Sequence, residues 1–304
     1  MNLLRKAAAA FTAAAAILIA TPPTASATPA PHDTYGGAYG GTLVRENFDR
    51  LPLGPVTRGR GWTTDTSNGT LTVAPSSTGH GRELRLRTKG NGRAFMVLSD
   101  LAPRGNSFWA RMRLRVTEFP TAPDWAHWTL AEASGPDSPT LVRPLGGQYA
   151  PTDKGNFWGV GSDLGPTGDW TNWKTSAPAV AGEWQCVEFH LDATDNRVTV
   201  YFDGVAQPDL TVSTTQHGGT TDDFVFPTFD KLKLGWQLYQ ANPTPTAFSM
   251  RLDDIAVSAH RIGGCNASPL RTTRSAPPDA EAAAPEGAVR PLRHADPIPA
   301  GPGT

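Results

Sequence analysis

Between Gly41 and Cys265 apolar and polar residues alternate with a period of two. The pattern runs through TLVRENF, TLTVA, ELRLRT, RAFMVLS, SFWARMRLRVTEF, WAHWTLAEA, EWQCVEFHL, RVTVYFDG, KLKLGWQLY and FSMRLDDIAVSAH. A strand turns successive side chains to opposite faces, so this period predicts half-buried strands and leaves no room for amphipathic helices. Turn clusters such as APRGNS, DATDNR and ANPTPT separate many of the segments. Short strands punctuated in this way predict an all-β chain, an antiparallel β-sandwich of the jelly-roll kind. Alternation also assigns faces. In SFWARMRLRVTEF the core set is Phe108, Ala110, Met112, Leu114 and Val116, which turns Trp109, Arg111, Arg113 and Arg115 away. In KLKLGWQLY it is Leu232, Leu234, Trp236 and Leu238, with Lys231, Lys233, Gln237 and Tyr239 on the other side. In DWAHWTLAEA the same rule buries Ala126, Trp128 and Leu130, turns Trp125, His127 and Thr129 outward, and places Glu132 with Trp128 and Leu130.

The flanks are different. Arg5 and Lys6, the apolar run Ala7 to Ala20 and the sequence Ala25-Ser26-Ala27 are expected to be a secretory signal peptide, residues 1–27. A Pro/Gly-rich linker, 28–40, precedes the β-domain at 41–265. A Pro/Ala-rich tail, 266–304, has too few large apolar groups to offset ordering entropy and is expected to be disordered. The net charge is -1. That excludes the strong basic excess of a nucleic-acid binder, and affinity for an acidic ligand must come from a local cluster. No later segment has the length and apolarity of a membrane span. Export, an extracellular location and a monomer are the expectations. The chain has two cysteines, Cys186 and Cys265, and an exported chain favours a disulfide between them that would fasten the last strand to an interior one.

A second dense segment is LVRPLGGQYAPTDKGNFWGVGSDLGPTGDWTNW, Leu141 to Trp173. Gly146-Gly147 suggests a bulge or tight turn that would bring Arg143 and Gln148 to one face despite their opposite parity. Aromatic rings, amides and guanidinium groups exposed together suit a saccharide, whose apolar ring faces stack while its hydroxyls hydrogen-bond. A Gly-rich loop packed by its own tryptophans is the alternative.

DWAHWTLAEA, VRPLGGQY, GEWQCVEFHLD, VYFDG, KLGWQLYQ and MRLDDIAVSA together resemble the cellulose-induced Cip-type secreted proteins of filamentous fungi and their actinobacterial relatives. More distantly they resemble the glucuronan lyases of polysaccharide lyase family 20. The resemblance covers about Gly41 to Cys265. It implies a concanavalin A-like jelly roll with a concave carbohydrate cleft, a structural calcium ion, and β-elimination on a uronic acid polysaccharide. The implied catalytic residues are His127 as base, Tyr239 as acid or base, and Gln148 with Arg143 to hold the uronate carboxylate. Trp125, Tyr149, Asp163, Gln237 and Arg113 are the expected substrate contacts, with Asp163 also able to orient His127. Tyr149 and Tyr201 are rival tyrosines. For calcium, which takes six to eight oxygens, the candidates are Glu46, Ser67, Asn68 and Asp253, with Asp49 and Asp254 in reserve.

Two other functions remain open at this level. A non-catalytic carbohydrate-binding protein would use the same cleft without a converging base and acid. A glycoside hydrolase needs two carboxylates flanking the scissile bond. Glu183 and Glu188 have opposite parity, and Glu132 has no evident partner.

Overall fold

The computed structural model describes residues 41–153, 155–167, 176–219 and 222–265. The expected signal peptide, linker and tail lie outside them. The strands are β1 (Thr42–Glu46), β2 (Gly54–Pro55), β3 (Arg58–Gly59), β4 (Trp62–Pro75), β5 (Arg82–Leu98), β6 (Phe108–Val116), β7 (Ala126–Gly135), β8 (Ser138–Ala150), β9 (Gly155–Asp163), β10 (Gln185–Asp192), β11 (Arg197–Phe202), β12 (Val205–Ala206), β13 (Lys231–Gln240) and β14 (Ala247–Ser258). Among the described residues the only helices are two single 3-10 turns, Arg104–Asn106 and Pro208–Leu210.

The strands form one continuous antiparallel sheet in the order β12, β11, β10, β6, β14, β5, β13, β7, β8, β9, with β1 on β14 and β4 on β5. The sheet curls into two layers at the β4/β5 hairpin. The first half of β5 pairs with β14 through Leu84 to Lys89, and its second half pairs with β13 through Arg93 to Leu98. This is the expected jelly-roll sandwich.

The alternation is obeyed. Phe108, Ala110, Met112, Leu114 and Val116 are all buried, as are Leu232, Leu234, Trp236 and Leu238. Rings from both layers close the core. Trp236 of β13 stacks on Phe248 of β14 at 5.4 Å, and Trp158 of β9 meets Phe202 of β11 at 5.1 Å. Trp128 lies parallel to Trp236 at 6.2 Å, and its indole N–H donates to Asn156 Oδ1 at 3.1 Å, so this buried ring keeps its one polar atom satisfied. Gly147 is the price of that packing: a Cβ there would lie 2.0 Å from the Phe157 carbonyl oxygen and 2.6 Å from the Trp128 ring.

Cys186 and Cys265 are joined, with Cα atoms 5.6 Å apart. Cys265 follows β14 by several residues, so the bond fastens the segment after the last strand, not the strand itself, to β10. The Glu188 carboxylate adds to this anchorage by accepting from the backbone N–H groups of Ile262 and Gly263 at 2.7 and 2.9 Å. The cross-link spans 79 residues of sequence, and in the chain-entropy account a loop of that size is worth on the order of 4 kcal/mol. The double variant Cys186→Ser/Cys265→Ser is therefore expected to lose about 2–5 kcal/mol, read as a lower midpoint in urea unfolding.

Candidate functional site

Register brings three of the expected residues into one line. Tyr239 of β13 pairs with His127 of β7, His127 with Gln148 of β8, and Gln148 with Phe157 of β9. Neighbours in such a row sit about 4.8 Å apart across the sheet. All four lie on the face away from the core, because Trp128, Gly147 and Leu238 take the inward positions. His127 and Phe157 are half-buried, Tyr239 is 71% exposed, and Trp125, just before β7, is 45% exposed.

Gln148 stands out chemically. It is 1% exposed, and among the described residues neither its Oε1 nor its Nε2 has a hydrogen-bond partner. Leaving such a group unsatisfied costs about 1–3 kcal/mol.

One end of the row is held by Gln240, which is fully buried. Its Nε2 donates to the carbonyls of Thr121 and Asp124 at 2.8 and 2.7 Å, and its Oε1 accepts from the N–H of Thr244 at 3.0 Å. One carboxamide thereby ties the loop that delivers Trp125 to the strand that carries Tyr239. Sequence reasoning missed it because a glutamine at a core position at a strand end has no distinctive pattern.

The expected bulge is present. The β8/β9 ladder slips between Arg143 and Gly146, and the β7/β8 ladder between Thr129 and Ala131. Both Val142 and Leu145 consequently face the core, and Arg143 shares a face with Gln148. Arg143 nevertheless does not join the row. It pairs with Gly161, and its Nη2 donates to the Ser162 carbonyl at 2.6 Å.

The same slip corrects the placement of Glu132. It lies on the open face, opposite Lys233, with Nζ to Oε1 at 3.0 Å. Lys233 also reaches Asp65 Oδ2 at 3.2 Å, and Arg93 Nε donates to Asp65 Oδ1 at 2.8 Å. This charged chain crosses the floor from β4 to β7, and the row that begins with Arg93, Gln237 and Thr129 lies beside the histidine row. Burial works to raise the Asp65 carboxyl, but the bonds and charges of Arg93 and Lys233 outweigh it and hold it below the usual range. Burial likewise works to lower the Lys233 ammonium, and Glu132 and Asp65 reverse that, raising it.

Several expected contacts lie elsewhere. Tyr149 is a core residue, because the residue after an outward Gln148 must point in. Tyr201 belongs to β11 in the other layer, with the Arg261 guanidinium 4.3 Å from its ring centre. Arg113 is also in that layer, stacked 4.7 Å from the ring of Trp184. Asp163 is exposed at the far end of β9, opposite Leu141. Six residues separate it from Phe157, about 20 Å of strand, too far to orient His127. Gln237 does lie on the open face, opposite Thr129.

The four calcium candidates do not converge. Glu46 accepts from the Phe48 N–H at 2.8 Å with one oxygen and from the Trp62 indole at 2.9 Å with the other. Ser67 and Asn68 lie at the β4/β5 crossing, where Gly69 pairs with Thr88 and Thr88 with Phe248. Asp253 is five residues further along β14, about 17 Å. The reserves Asp49 and Asp254 line a cavity of about 580 Å³ with Glu46, and Arg45, Arg50, Arg60 and Arg111 line it too, so guanidinium groups supply the positive charge there. Among the described residues no group of three His, Cys, Asp or Glu side chains is placed to hold a metal.

No family model matches the chain, and no curated protein does. Among solved structures, one described as cellulose induced protein, Cip1, superposes with a TM-score of 0.52 at 16% identity, covering 72% of this chain and 99% of that one. The fold is a β-sandwich similar to that of Cip1. A sialidase aligns with a TM-score of 0.45 at 12% identity over 72% of this chain and 18% of its own. Trypanosoma rangeli sialidase aligns at 0.40 and 15% over 74% of this chain and 32% of its own. At 16% identity the likeness to Cip1 concerns architecture, so chemistry has to be argued from the side chains of this chain.

Burial pushes the Asp253 carboxyl up to about 7, with Asp254 and Asp49 adding like charge against the bond from the Asp254 N–H and the charge of Arg113. A folded pKa above the unfolded value of about 3.9 means that its contribution to stability is present at low pH and lost as pH rises through 7. Asp253→Asn is therefore expected to raise the thermal midpoint at about pH 8 and change it little near pH 4, compared in calcium-free buffer.

Proposed function

We propose that this chain is an extracellular carbohydrate-processing protein that cleaves a uronic acid polysaccharide, glucuronan-like in type, by β-elimination. The observation that carries the reading is the row of Tyr239, His127 and Gln148, with a buried carboxamide beside His127 that no protein group satisfies among the described residues. Elimination needs a uronate carboxylate held so that its C5 proton becomes acidic, a base to take that proton, and an acid for the leaving oxygen. Gln148 can donate to the carboxylate and to the enediolate-like charge that develops from it. His127, beside it, is the candidate base, because an imidazole is the side chain best suited to take up and release a proton near neutrality. Tyr239 flanks His127 on the other side and is open to solvent, where it can return a proton to the departing glycosidic oxygen. Trp125 offers an exposed ring at the same end for a sugar face.

Hydrolysis fits less well. Asp65 and Glu132 are the two carboxylates brought together on this floor, but both are bound to Lys233, and Asp65 is held below the usual range. A hydrolase requires the reverse, one carboxylic acid kept protonated. The disulfide suits an oxidising, extracellular setting.

The test incubates the protein with glucuronan, alginate and neutral glucans and follows the ultraviolet absorbance of the unsaturated uronate. Rising absorbance with the uronate polymers alone supports elimination; new reducing ends without absorbance would replace it with hydrolysis, and binding without either would leave a carbohydrate-binding protein. His127→Ala and Tyr239→Phe are each expected to lower the elimination rate at least about a hundredfold. Gln148→Leu separates function from folding. It removes an unsatisfied buried amide, so it is expected to stabilise the fold by about 1 kcal/mol, seen in urea unfolding, while activity is lost.

A further inference from the structure

The layer opposite the histidine row carries a cationic array that the proposed elimination does not use. Arg85 of β5, Arg251 of β14 and Arg115 of β6 are paired directly across three adjacent strands. On the same outward face, Arg87 pairs with Ser249, Lys89 with Ala247, and Arg113 with Asp253. Like charges directly opposite each other destabilise a sheet, and the local acids answer only part of this array. Glu83, fully buried, bonds Arg251 and lies 3.8 Å from Arg85. Asp253 faces Arg113, and Glu118 stands at the end of the array. Among the described residues Arg87, Lys89 and Arg115 make no ion pair. Arg87 and Lys89 are exposed and line a groove of about 690 Å³ with Asn68, Thr70, Glu118 and Ser249.

We propose that this face is a second binding surface, one that holds a carboxylated polysaccharide chain along β5 and β6. Adjacent paired strands space their cations regularly, as a polymer with one carboxylate per sugar spaces its charges. Guanidinium forks match carboxylates through paired hydrogen bonds. The hydroxyls of Thr70, Thr72 and Ser249 lie among the cations for the sugar hydroxyls between. The array stands on its own observations, whereas the choice of a uronate polymer among polyanions rests on the reading of the cleft.

The test works in the Gln148→Leu background, so that the cleft does not contribute. Binding of polyglucuronate is measured by calorimetry at low and high salt, with and without Arg87→Gln/Arg115→Gln. Both side chains lack ion pairs, so their removal is expected to leave the thermal midpoint unchanged or higher. The expected result is retained, salt-sensitive binding in the background variant and about tenfold weaker binding, with a shallower salt dependence, once the two arginines are gone. Affinity within twofold of the background, or equal binding of a neutral glucan, would overturn the surface. Equal binding of duplex DNA would overturn the saccharide assignment. Arg87→Gln/Arg115→Gln made in the otherwise wild-type chain is expected to leave turnover of short uronate oligomers unchanged, which separates this surface from the histidine row.

Discussion

Both layers of the sandwich hang on a hairpin that has to change layer halfway along its length. β4 and β5 stay paired almost throughout, from Thr63 opposite Val97 to Pro75 opposite Arg82, while the neighbour of β5 changes from β14 to β13. The ladder slips at Ser67 and Gly69, and the turn of the sheet leaves no space for side chains there: a Cβ on Gly69 would lie 2.3 Å from the Arg93 carbonyl oxygen, and one on Gly92 would lie 2.9 Å from the carbonyl of Asn68. Glycine at these points lets one backbone satisfy the hydrogen bonds of two layers. β13, and with it β7, β8 and β9, can then fold back over β14, β6 and β10 to enclose the aromatic core.

The open face of that front layer becomes a site through local breaks in the alternation. The bulges in β7, β8 and β13 move Glu132 and Arg143 onto the floor and leave Tyr239, His127 and Gln148 in register at one end. The floor is accordingly divided. One end holds a closed chain of opposite charges that satisfies itself, from Arg93 through Asp65 and Lys233 to Glu132. The other holds a carboxamide that is buried and unanswered within the described fold. A protein optimised only for stability would have an apolar residue at Gln148, and the retained cost is the physical argument that something else binds there.

The outer face of the back layer follows the same logic on a flat surface. Its arginines repel one another across neighbouring strands, and the single buried Glu83 cannot neutralise the row. The two faces differ in what they can recognise, the front by a shaped polar row and the back by spaced charge.

The fold class, the identity of the core side chains of β6 and β13, the outward direction of His127, and the partnership of the two cysteines were legible in the sequence, because each depends on a two-residue period or on a count. Reading failed where the period breaks. Parity places Glu132 on the core face because it carries no warning of the slip in β7, whereas Tyr149, next to an outward Gln148, is turned inward by unbroken alternation, and Asp163 and Arg113 lie near His127 in motif but not in space. Ser67 and Asn68 lie on the strand that changes layer, so nearness to β1 in the chain does not bring them to Asp253. Along an unbroken run of strand, the side a residue occupies is a local property of the backbone, and the sequence by itself determines it. Which strands become neighbours, and in what register, depends on pairings between residues more than a hundred positions apart, as Tyr239 is from His127. Only the tertiary structure decided those.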